Sequence, residues 1–451
     1  MKQKIEFHCT NCDYRPPKWL GCCPECKEWG SVVEKQKGMQ SAPASLLQTA
    51  TSLKLTLLDS LPTETKKRML SNISEWDRVI GGGIMQGSFL IVTGDPGIGK
   101  STLLLQIANQ LSQNHSVFYF SSEESLEQVK LRAQRLKCSY NKLLFSDQGN
   151  LESIIATAQE QKPDLIIVDS IQNCYSTTAH TIPGTISQLR ESAFHLMRLA
   201  KEHDIAIIVT GHITKEGTIA GPKMLEHMVD GVFYLQGEDR WQTRVLRSVK
   251  NRFGAINEIG FFEMHENGLQ EVSNINQQLL NEASYAPGSA LISYSEGSRP
   301  LLIELQALTV PSKFGIPQRV ISGLDQKQVV IIAAILEKYL QIPFSSHDIF
   351  FKISGGFRIK ESSADLGIAL ALLSSYFKKS LPEKSIVLGE ISLTGQVKPI
   401  NQIGIHVNEA QKFGIEHLLL AKNQKLDKVA SAALKKFSSV YELLQMFDDV
   451  R

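Results

Sequence analysis

The chain lacks the features that mark a membrane or secreted protein. None of its apolar runs is long enough to span a bilayer, and residues 1–6, Met-Lys-Gln-Lys-Ile-Glu, do not begin a signal peptide. An excess of charge of one sign is also missing, since 48 basic residues face 46 acidic ones and the net charge is only +2. Overall charge therefore makes no case for nucleic acid or membrane as a partner. We expect a cytoplasmic protein in which any basic surface is local.

Cysteine is scarce and concentrated in one short stretch. Of seven cysteines, five lie between Cys9 and Cys26, which favours a metal site in a reducing compartment over a disulfide framework. Cys9, Cys12, Cys23 and Cys26 form two C-x₂-C pairs, the ligand set of a tetrahedral structural zinc ion. Cys22 adjoins Cys23 and can compete for the metal, but only Cys23 keeps the two-residue spacing. We predict a four-cysteine zinc module that binds DNA or a partner protein, because four thiolates leave no open position for catalysis.

The length of 451 residues favours two or three compact units, and a hydrophobic content of 42% suffices for ordinary cores. Residues 1–34 form the cysteine module, and the polar, irregular stretch 35–64 is interpreted as a linker. Strands and helices alternate in 65–273, a pattern that predicts a parallel sheet covered by helices on both faces. The polar stretch 273–278 then separates a second globular unit, 285–451, in which helices and strands follow in mixed order.

A glycine-rich motif stands between a strand pattern and a helix pattern. Residues 94–102 read Gly-Asp-Pro-Gly-Ile-Gly-Lys-Ser-Thr, a complete G-x-x-x-x-G-K-[ST] loop. The glycines let backbone N–H groups turn towards a polyanion at a helix N-terminus. We therefore predict an ATP site, in which Lys100 reaches the β- and γ-phosphates and Ser101 ligates Mg²⁺. The predicted nucleotide-binding residues are Gly94, Asp95, Pro96, Gly97, Ile98, Gly99, Lys100, Ser101 and Thr102.

Three acidic residues follow predicted strands and are candidates for the hydrolytic chemistry. Asp169 closes the apolar stretch 164–169 and is expected to hold Mg²⁺, although a helix N-cap is the alternative. Glu123 and Glu124 follow the strand pattern 117–120, near the carboxyl edge of the sheet, where ligands of such folds bind. We assign one of them, Glu123 before Glu124, as the general base that activates water. The alternative is that both stabilise the dipole of the following helix.

Motifs spread over the whole chain resemble one family of proteins. The matching stretches are 76–83, 94–102, 211–217, 220–227 and 246–254. The last contains Lys-Asn-Arg-Phe-Gly at 250–254, the hallmark of the RadA (Sms) family of bacterial DNA-repair proteins. Together with the cysteine module and the C-terminal unit, these motifs closely resemble that family. The resemblance implies an α/β fold with a RecA-like P-loop ATPase core, an N-terminal four-cysteine zinc module and a C-terminal Lon-protease-like α+β domain.

The resemblance also implies an activity and its partners. The implied activity is that of a DNA-dependent ATPase of recombinational DNA repair. Such an enzyme processes recombination intermediates and drives branch migration of strand-exchange structures formed by RecA recombinase. The expected partners are single-stranded and branched DNA, RecA, and further copies of the chain in a hexameric ring. In such rings ATP lies between subunits, and Lys250 and Arg252 are expected to neutralise charge on the neighbour's phosphates. Two cations one residue apart on a strand point the same way, although a solvated basic patch is the alternative.

Two glycine-bearing loops follow sheet strands and are candidates for DNA contacts. In RecA-like rings, loops in the positions of 176–184 and 214–223 face the central channel. Lys215 and Lys223 are expected to neutralise phosphates of single-stranded DNA. Neither loop is rich in aromatic residues, so base stacking has little support. Surface loops with incidental lysines are the alternative.

The C-terminal unit resembles the Lon protease domain at 355–365 and 389–400. Lon proteases use a serine–lysine dyad, in which the lysine is the base for the hydroxyl. Ser363 falls at the nucleophile position, where the RadA family usually has alanine, but Gly404 stands where the lysine belongs. Lys398 lies nearby in sequence, in the preceding strand-like motif. We therefore expect a proteolytically inactive domain that builds the ring and offers a basic surface to DNA. The candidates for that surface are Lys352, Arg358 and Lys360, and ordinary solvated residues are the alternative.

Two other functions stay open from the sequence. One is an ATP-dependent Lon-type protease, which Gly404 disfavours because glycine offers no base. The other is a KaiC-like regulatory ATPase, a signalling ring that shares the paired glutamates and needs no DNA. The zinc module and the Lys-Asn-Arg-Phe-Gly motif argue against this second function.

Overall fold

The structure is a computed structural model of the chain. It describes residues 6–9, 14, 16–35, 56–57, 59, 68–139, 143–177, 185–212, 225–237, 243–313, 315–354, 357–359, 361–426 and 432–447. The chain divides into two compact units, Met1–Thr65 and Lys66–Arg451. Among the described residues, no helix is both long enough and apolar enough to cross a membrane.

Among its described residues, the smaller unit has an antiparallel strand pair. β1 (Glu6–Cys9) pairs with β2 (Val32–Lys35), so that Cys9 lies opposite Val32. These two residues and Cys23 form its buried hydrophobic cluster. So small a core contributes little hydrophobic stabilisation, and a metal on its thiols would supply much of the free energy of folding.

The larger unit begins with strands and helices in alternation, as the sequence predicts. Its first elements are α1 (Ser74–Val79), β3 (Phe89–Gly94), α2 (Lys100–Leu111), β4 (Val117–Ser121), α3 (Leu126–Arg135), β5 (Leu143–Ser146), α4 (Leu151–Gln161), β6 (Leu165–Asp169), α5 (Ile186–His203), β7 (Ala206–His212), β8 (Gly231–Gly237), β9 (Thr243–Asn251), β10 (Ile259–His265) and β11 (Gly268–Glu271). The start of α5 follows from its sequence, because the side chain of Thr185 accepts a hydrogen bond from the backbone N–H of Gln188.

These strands form one nine-stranded sheet in the order β11-β10-β9-β8-β3-β7-β6-β4-β5. Strands β3 to β8 pair in parallel with one another, whereas β9, β10 and β11 are added as antiparallel hairpins. Every residue of β3, β4 and β6 is buried, as expected for parallel strands covered on both faces. The predicted parallel sheet is confirmed. The carboxyl ends of β3, β7, β6 and β4 meet at one edge of it.

A seven-stranded sheet forms the rest of the larger unit. Its elements are α6 (Ile275–Glu282), β12 (Ser289–Glu296), β13 (Arg299–Pro311), β14 (Arg319–Ser322), α7 (Gln326–Leu340), β15 (His347–Ile353), α8 (Asp365–Phe377), β16 (Ser385–Leu388), α9 (Ile403–Lys412), β19 (His417–Ala421) and β20 (Ala433–Phe437), with the separate short pair β17 (Glu390–Ile391) and β18 (Val397–Lys398). The order β14-β15-β13-β12-β16-β19-β20 mixes antiparallel and parallel pairs. The apolar helix α8 packs closely on β12, since a Cβ on Gly367 would lie 2.3 Å from Ile292 Cγ2.

The two sheets meet in one shared hydrophobic cluster. Val245, Ile259 and Phe261 of the nine-stranded sheet belong to the same buried cluster as the C-terminal strands and helices. The polar stretch 273–278, expected to separate two units, runs into α6 and is partly buried there. Its asparagines and glutamines are compatible with the start of a helix. The predicted domain boundaries stay a prediction.

Candidate nucleotide site and metal centre

The glycine-rich loop connects β3 to α2 at the carboxyl edge of the nine-stranded sheet. Gly97 and Gly99 have φ values of +76° and +114°, which residues with side chains rarely adopt. A Cβ on Gly94 would lie 2.2 Å from the carbonyl oxygen of Leu235 on β8. Gly99 is the N-cap of α2, and no side chain caps this helix. The start of a helix offers backbone N–H groups and a partial positive charge to an anion, so the loop fits a chain of phosphates.

Lys100, the first residue of α2, turns its side chain back over the loop. It is 6% exposed, and its Nζ donates hydrogen bonds to the carbonyl oxygens of Gly94 and Asp95, each at 3.0 Å. Burial lowers the pKa of Lys100, while the negative charges of Asp169, Glu123 and Asp95 act in the opposite direction. The ammonium group therefore lies among the carboxylates of the site, where an incoming phosphate can exchange with the carbonyl acceptors.

Asp169 ends β6 beside the loop and is 4% exposed. Its Oδ2 accepts a hydrogen bond from Tyr119 Oη at 2.8 Å, and its Oδ1 accepts one from Thr210 Oγ1 at 2.6 Å. Burial, followed by the charge of Asp169, raises the pKa of Tyr119 well above its usual value, so the phenol stays a donor. Each carboxylate oxygen keeps a second lone pair for a metal shell. Sequence reasoning missed Tyr119 and Thr210, because their position depends on β4 and β7 lying on either side of β6.

The two glutamates after β4 have different surroundings. Ser170, the residue after Asp169, donates its hydroxyl to the carboxylate of Glu123. Glu124 instead forms an ion pair with Arg132 of α3. The structure therefore brings Glu123 next to the metal-binding candidate, and it places Glu124 against a cation of the following helix.

The other residues of the loop are divided between solvent and core. Asp95 and Pro96 are exposed, whereas Ile98 packs against the hydrophobic core. Ser101 and Thr102 lie half-buried in the first turn of α2. The predicted phosphate and magnesium ligands thus share one edge of the sheet.

Lys250 and Arg252 lie at the opposite edge of the same sheet. Lys250 pairs with Val232 near the start of β8, whereas Gly94 pairs with Leu235 farther along that strand. Three residues of strand separate the two positions, or about 10 Å. Within one chain, the pair therefore lies away from its own P-loop.

Both of these cations have acceptors in the chain. Lys250 Nζ donates to the carbonyl oxygen of Glu226, and Arg252 Nη1 donates to Asp230 Oδ1 at 3.1 Å. Burial, and after it the positive charge of Arg252, lowers the pKa of Lys250. Asp230 is only 2% exposed and also pairs with Lys201 at 2.6 Å. The side chain of Arg252 is 58% exposed, so it is accessible to a neighbouring molecule.

The smaller unit gathers thiols that fit a metal. The Sγ atoms of Cys9, Cys23 and Cys26 all lie within 4.8 Å of one another, and those of Cys9 and Cys26 are 3.6 Å apart. Thiolates about 2.3 Å from zinc in a tetrahedron lie about 3.8 Å from each other, so the cluster has suitable spacing. Cys22 Sγ lies instead 3.7 Å from the carbonyl oxygen of Cys23. The fourth predicted ligand, Cys12, lies outside the described residues.

The residues predicted to contact DNA are described only in part. Lys352 on β15 and Arg358 are both exposed. Outside the described residues lie Lys215, Lys223, Lys360 and the ranges 178–184 and 213–224. The assignment of these residues to DNA stays a prediction.

Ser363 lies in a 3₁₀ turn, Ser362–Ala364. Its Oγ donates a hydrogen bond to Glu361 Oε2 at 3.2 Å. Gly404 is exposed in α9, and an added Cβ there would meet no atom within 4 Å. Lys398, at the end of β18, is exposed. The expectation that this domain is proteolytically inactive rests on the glycine at the position of the dyad lysine.

Three parts of the chain match described protein families. Residues 57–218 match the AAA domain, residues 310–424 match the subunit ChlI of Mg-chelatase, and residues 7–34 match the rubredoxin metal binding domain. The first match covers the P-loop and the second covers much of the seven-stranded sheet. The third spans the cysteine cluster, which indicates a metal site there.

Relatives that are similar over almost the whole chain share one name. DNA repair protein RadA of Listeria monocytogenes is 42% identical over 94% of this chain and 93% of its own length. The protein of the same name from Bacillus subtilis is 41% identical over 93% of this chain and 93% of its own length. The crystal structure of the RadB recombinase is 21% identical, covering 46% of this chain and 100% of that chain with a TM-score of 0.38.

Proposed function

The chain belongs to the family of DNA repair protein RadA, and we propose that it is a DNA-dependent ATPase of recombinational repair. It has the fold of that family, with a RecA-like P-loop ATPase core, an N-terminal zinc module and a C-terminal Lon-protease-like domain. We infer that it processes recombination intermediates on single-stranded and branched DNA. In this proposal a hexameric ring of the chain, working with RecA, drives branch migration of RecA-formed strand-exchange structures.

Each residue at the ATP site has a distinct role in this proposal. The backbone of 94–102 binds the phosphates, and Lys100 neutralises the β- and γ-phosphates. Ser101 and Asp169 hold Mg²⁺, which when bound neutralises charge on the transferred phosphoryl group. Glu123 orients the attacking water and accepts its proton. The contact of Glu123 with the residue after Asp169 supports this choice, since it keeps the base beside the metal-binding group.

One observation carries the proposal that ATP is shared between subunits: Lys250 and Arg252, called the finger pair below, lie at the sheet edge opposite their own P-loop. The pair is offset from its own P-loop by about 10 Å along the strand direction, and its side chains bind Glu226 and Asp230 instead. In a head-to-tail ring, one edge of each subunit faces the opposite edge of the next. The finger pair of one subunit then reaches the phosphates bound by its neighbour, and the 58% exposure of Arg252 allows that reach.

Mixed rings test whether the finger pair acts on the neighbour. Lys100→Ala disables the P-loop but leaves the finger pair, and Arg252→Ala does the reverse. Each variant alone is expected to hydrolyse ATP roughly 100-fold more slowly than the wild type. In an equal mixture, about a quarter of the interfaces combine an intact loop with an intact finger pair, so turnover should return to about a quarter of the wild-type rate. A mixture as inactive as its separate components would contradict action on the neighbour.

The dependence on DNA has its own test. We expect single-stranded DNA to stimulate ATP turnover of the wild type, and Lys250→Ala to bind DNA normally while driving branch migration poorly. Loss of DNA binding in Lys250→Ala would count against the role between subunits. Turnover that is the same with and without any DNA would favour a regulatory ATPase of the KaiC type instead.

The flanking domains serve assembly and binding in this proposal. The four cysteines Cys9, Cys12, Cys23 and Cys26 hold a structural zinc ion, and the module docks DNA or a partner protein. Three of these thiols already lie at suitable spacing for one metal. The C-terminal domain builds the ring without proteolysis and turns a basic surface towards DNA.

A further inference from the structure

The finger pair lies at the start of a loop whose far end is hydrogen-bonded back to β9. Residues 252–258 connect β9 to β10, so Arg252 opens the loop and Lys250 lies two residues before it on β9. At the far end, the backbone N–H of Asn257 donates to the carbonyl oxygen of Ser248 at 2.9 Å. Ser248 precedes Lys250 by two residues, or about 7 Å along the strand. This hydrogen bond ties Asn257 to β9 close to Lys250, so a shift of Asn257 would act on the part of the strand that leads into the finger pair.

A turn of the C-terminal domain lies against this far end. Gly297 closes the hairpin turn between β12 and β13 with a φ of +62°, and a Cβ on it would lie 1.5 Å from the carbonyl oxygen of Asn257. Turn and loop are thus in backbone contact with no space for a side chain. Glu296, the residue before this glycine, forms an ion pair with Arg247 of β9. The turn therefore contacts both the loop and the strand that leads into it.

A buried carboxylate fixes the other side of the same turn. Arg299 Nη1 donates to both carboxylate oxygens of Glu75 on α1, at 3.1 and 3.0 Å, and Glu75 is only 6% exposed. Arg78 pairs with Glu75 at 2.8 Å and with Glu258 at 3.0 Å. Because Glu258 is the last residue of the loop, one network joins the turn, α1 and the loop. Networks of buried charges with several partners have little freedom to rearrange.

We propose that the β12–β13 turn, residues 296–299, positions the finger pair and that the C-terminal domain thereby sets the rate at which the neighbour's ATP is hydrolysed. This inference rests on the proposed action of the finger pair between subunits. Gly297 is a positioning residue, since it touches neither nucleotide nor DNA in this scheme. Its effect is large because a catalytic group displaced by 1 Å can lose on the order of 100-fold in rate. The inactive protease domain then has a mechanical role in the ATPase cycle.

A pair of glycine substitutions tests the proposal. Gly297→Ala forces Asn257 away, and we expect it to lower the maximal rate of ATP turnover at least about 10-fold with the KM for ATP changed less than about twofold. Gly414→Ala is the matched control, because Gly414 has a similar φ of +70° in the same domain but no atom within 4 Å of an added Cβ. Its maximal rate should stay within about twofold of the wild type. Equal rates for the two folded variants would overturn the proposal.

Mixed rings separate a finger defect from general damage. Rings mixed from Gly297→Ala and Lys100→Ala subunits should regain turnover. In them the intact P-loop of a Gly297→Ala subunit can meet the intact finger pair of a Lys100→Ala neighbour. Combined with Arg252→Ala, Gly297→Ala should regain none, since both partners then lack a working finger pair. Failure to recover with Lys100→Ala would place the damage in the P-loop of the same chain and overturn the proposal.

A charge exchange covers the case in which Gly297→Ala does not fold. Glu296→Arg and Arg247→Glu each break the pair beside the turn and should each slow turnover, while the double exchange should regain at least half of the lost rate. A double variant as slow as the single ones would reject the proposal.

Failure of the proposed function can be distinguished from failure of this inference, since Arg252→Ala would then hydrolyse ATP at the wild-type rate. If Arg252→Ala is slow and recovers in mixed rings while the turn variants are fast, only the role of the turn is wrong.

Discussion

Two adjacent glutamates differ in the groups that hold them, and our proposal assigns the activation of water to Glu123. Glu123→Gln keeps the hydrogen-bonding shape but removes the base, so we expect ATP turnover to fall by roughly 100-fold or more while nucleotide binding persists. Glu124→Gln is the matched change, and it removes only the ion pair with Arg132 of α3. We expect its effect on turnover to stay below about threefold. Steady-state turnover and the affinity for a fluorescent ATP analogue measure both, and equal losses would contradict the assignment.

A buried histidine makes the stability of the C-terminal domain depend on pH. His406 is 5% exposed, its Nδ1 lies 2.8 Å from Ser293 Oγ, and burial lowers its pKa to about 4. The unfolded chain binds a proton at this residue near pH 6.5, whereas the folded chain does so only near pH 4. The stabilisation is therefore fully present above pH 6.5 and is lost as the pH falls from there towards 4.

The expected loss of stability follows from the difference between the pKa of His406 in the unfolded and the folded chain. Between pH 7.5 and pH 5, His406 should lower the free energy of unfolding by about 2 kcal/mol. His406→Gln should lack that part of the decrease, because glutamine does not titrate. Urea titrations of both proteins at the two pH values measure the difference. The same decrease in both proteins would show that His406 does not titrate as its burial implies.

At the scale of single elements, strand ends explain why residues distant in sequence form one site. Gly94, Ser121, Asp169 and His212 end β3, β4, β6 and β7, and the sheet order places these strands side by side. The existence of these strands could be predicted from their apolar runs. Their order could not, because four buried strands of similar composition can be arranged in many ways. The contacts of Asp169 with two neighbouring strands accordingly had no signal in the sequence.

The cysteine module is an element whose stability should depend on its metal. Cys23→Ser removes a thiol of the cluster, and we expect metal content after dialysis to fall well below that of the wild type, with the module unfolded. Cys22→Ser is the matched control one residue away, and it should keep the metal. Zinc analysis and protease sensitivity of residues 1–65 provide the measurement. Metal loss in Cys22→Ser, with retention in Cys23→Ser, would reverse the assignment of the ligands.

At the scale of the whole molecule, the shared hydrophobic cluster couples the two sheets of the larger unit. A chain that ends at residue 283 would expose Val245, Ile259 and Phe261, each of which contributes about 1.5–3 kcal/mol when buried. We expect its ATPase part to lose on the order of 5 kcal/mol of unfolding free energy relative to the full chain. A chain without residues 1–65, which form a separate compact unit, should keep its midpoint. Denaturant titrations compare the full chain with the two shortened chains. An unchanged midpoint in the chain that ends at residue 283 would mean that the two sheets unfold independently.

The sequence by itself determined the local chemistry of this protein. The phosphate loop at 94–102, the C-x₂-C pairs and the alternation of strands and helices depend on residues a few positions apart, so a linear pattern is enough to predict them. Only the tertiary structure decided that the finger pair lies at the sheet edge opposite Gly94 and that Gly297 lies against Asn257. Those relations depend on which strands become neighbours and on how two sheets pack, and packing between segments far apart in the chain leaves no periodic signal in the sequence.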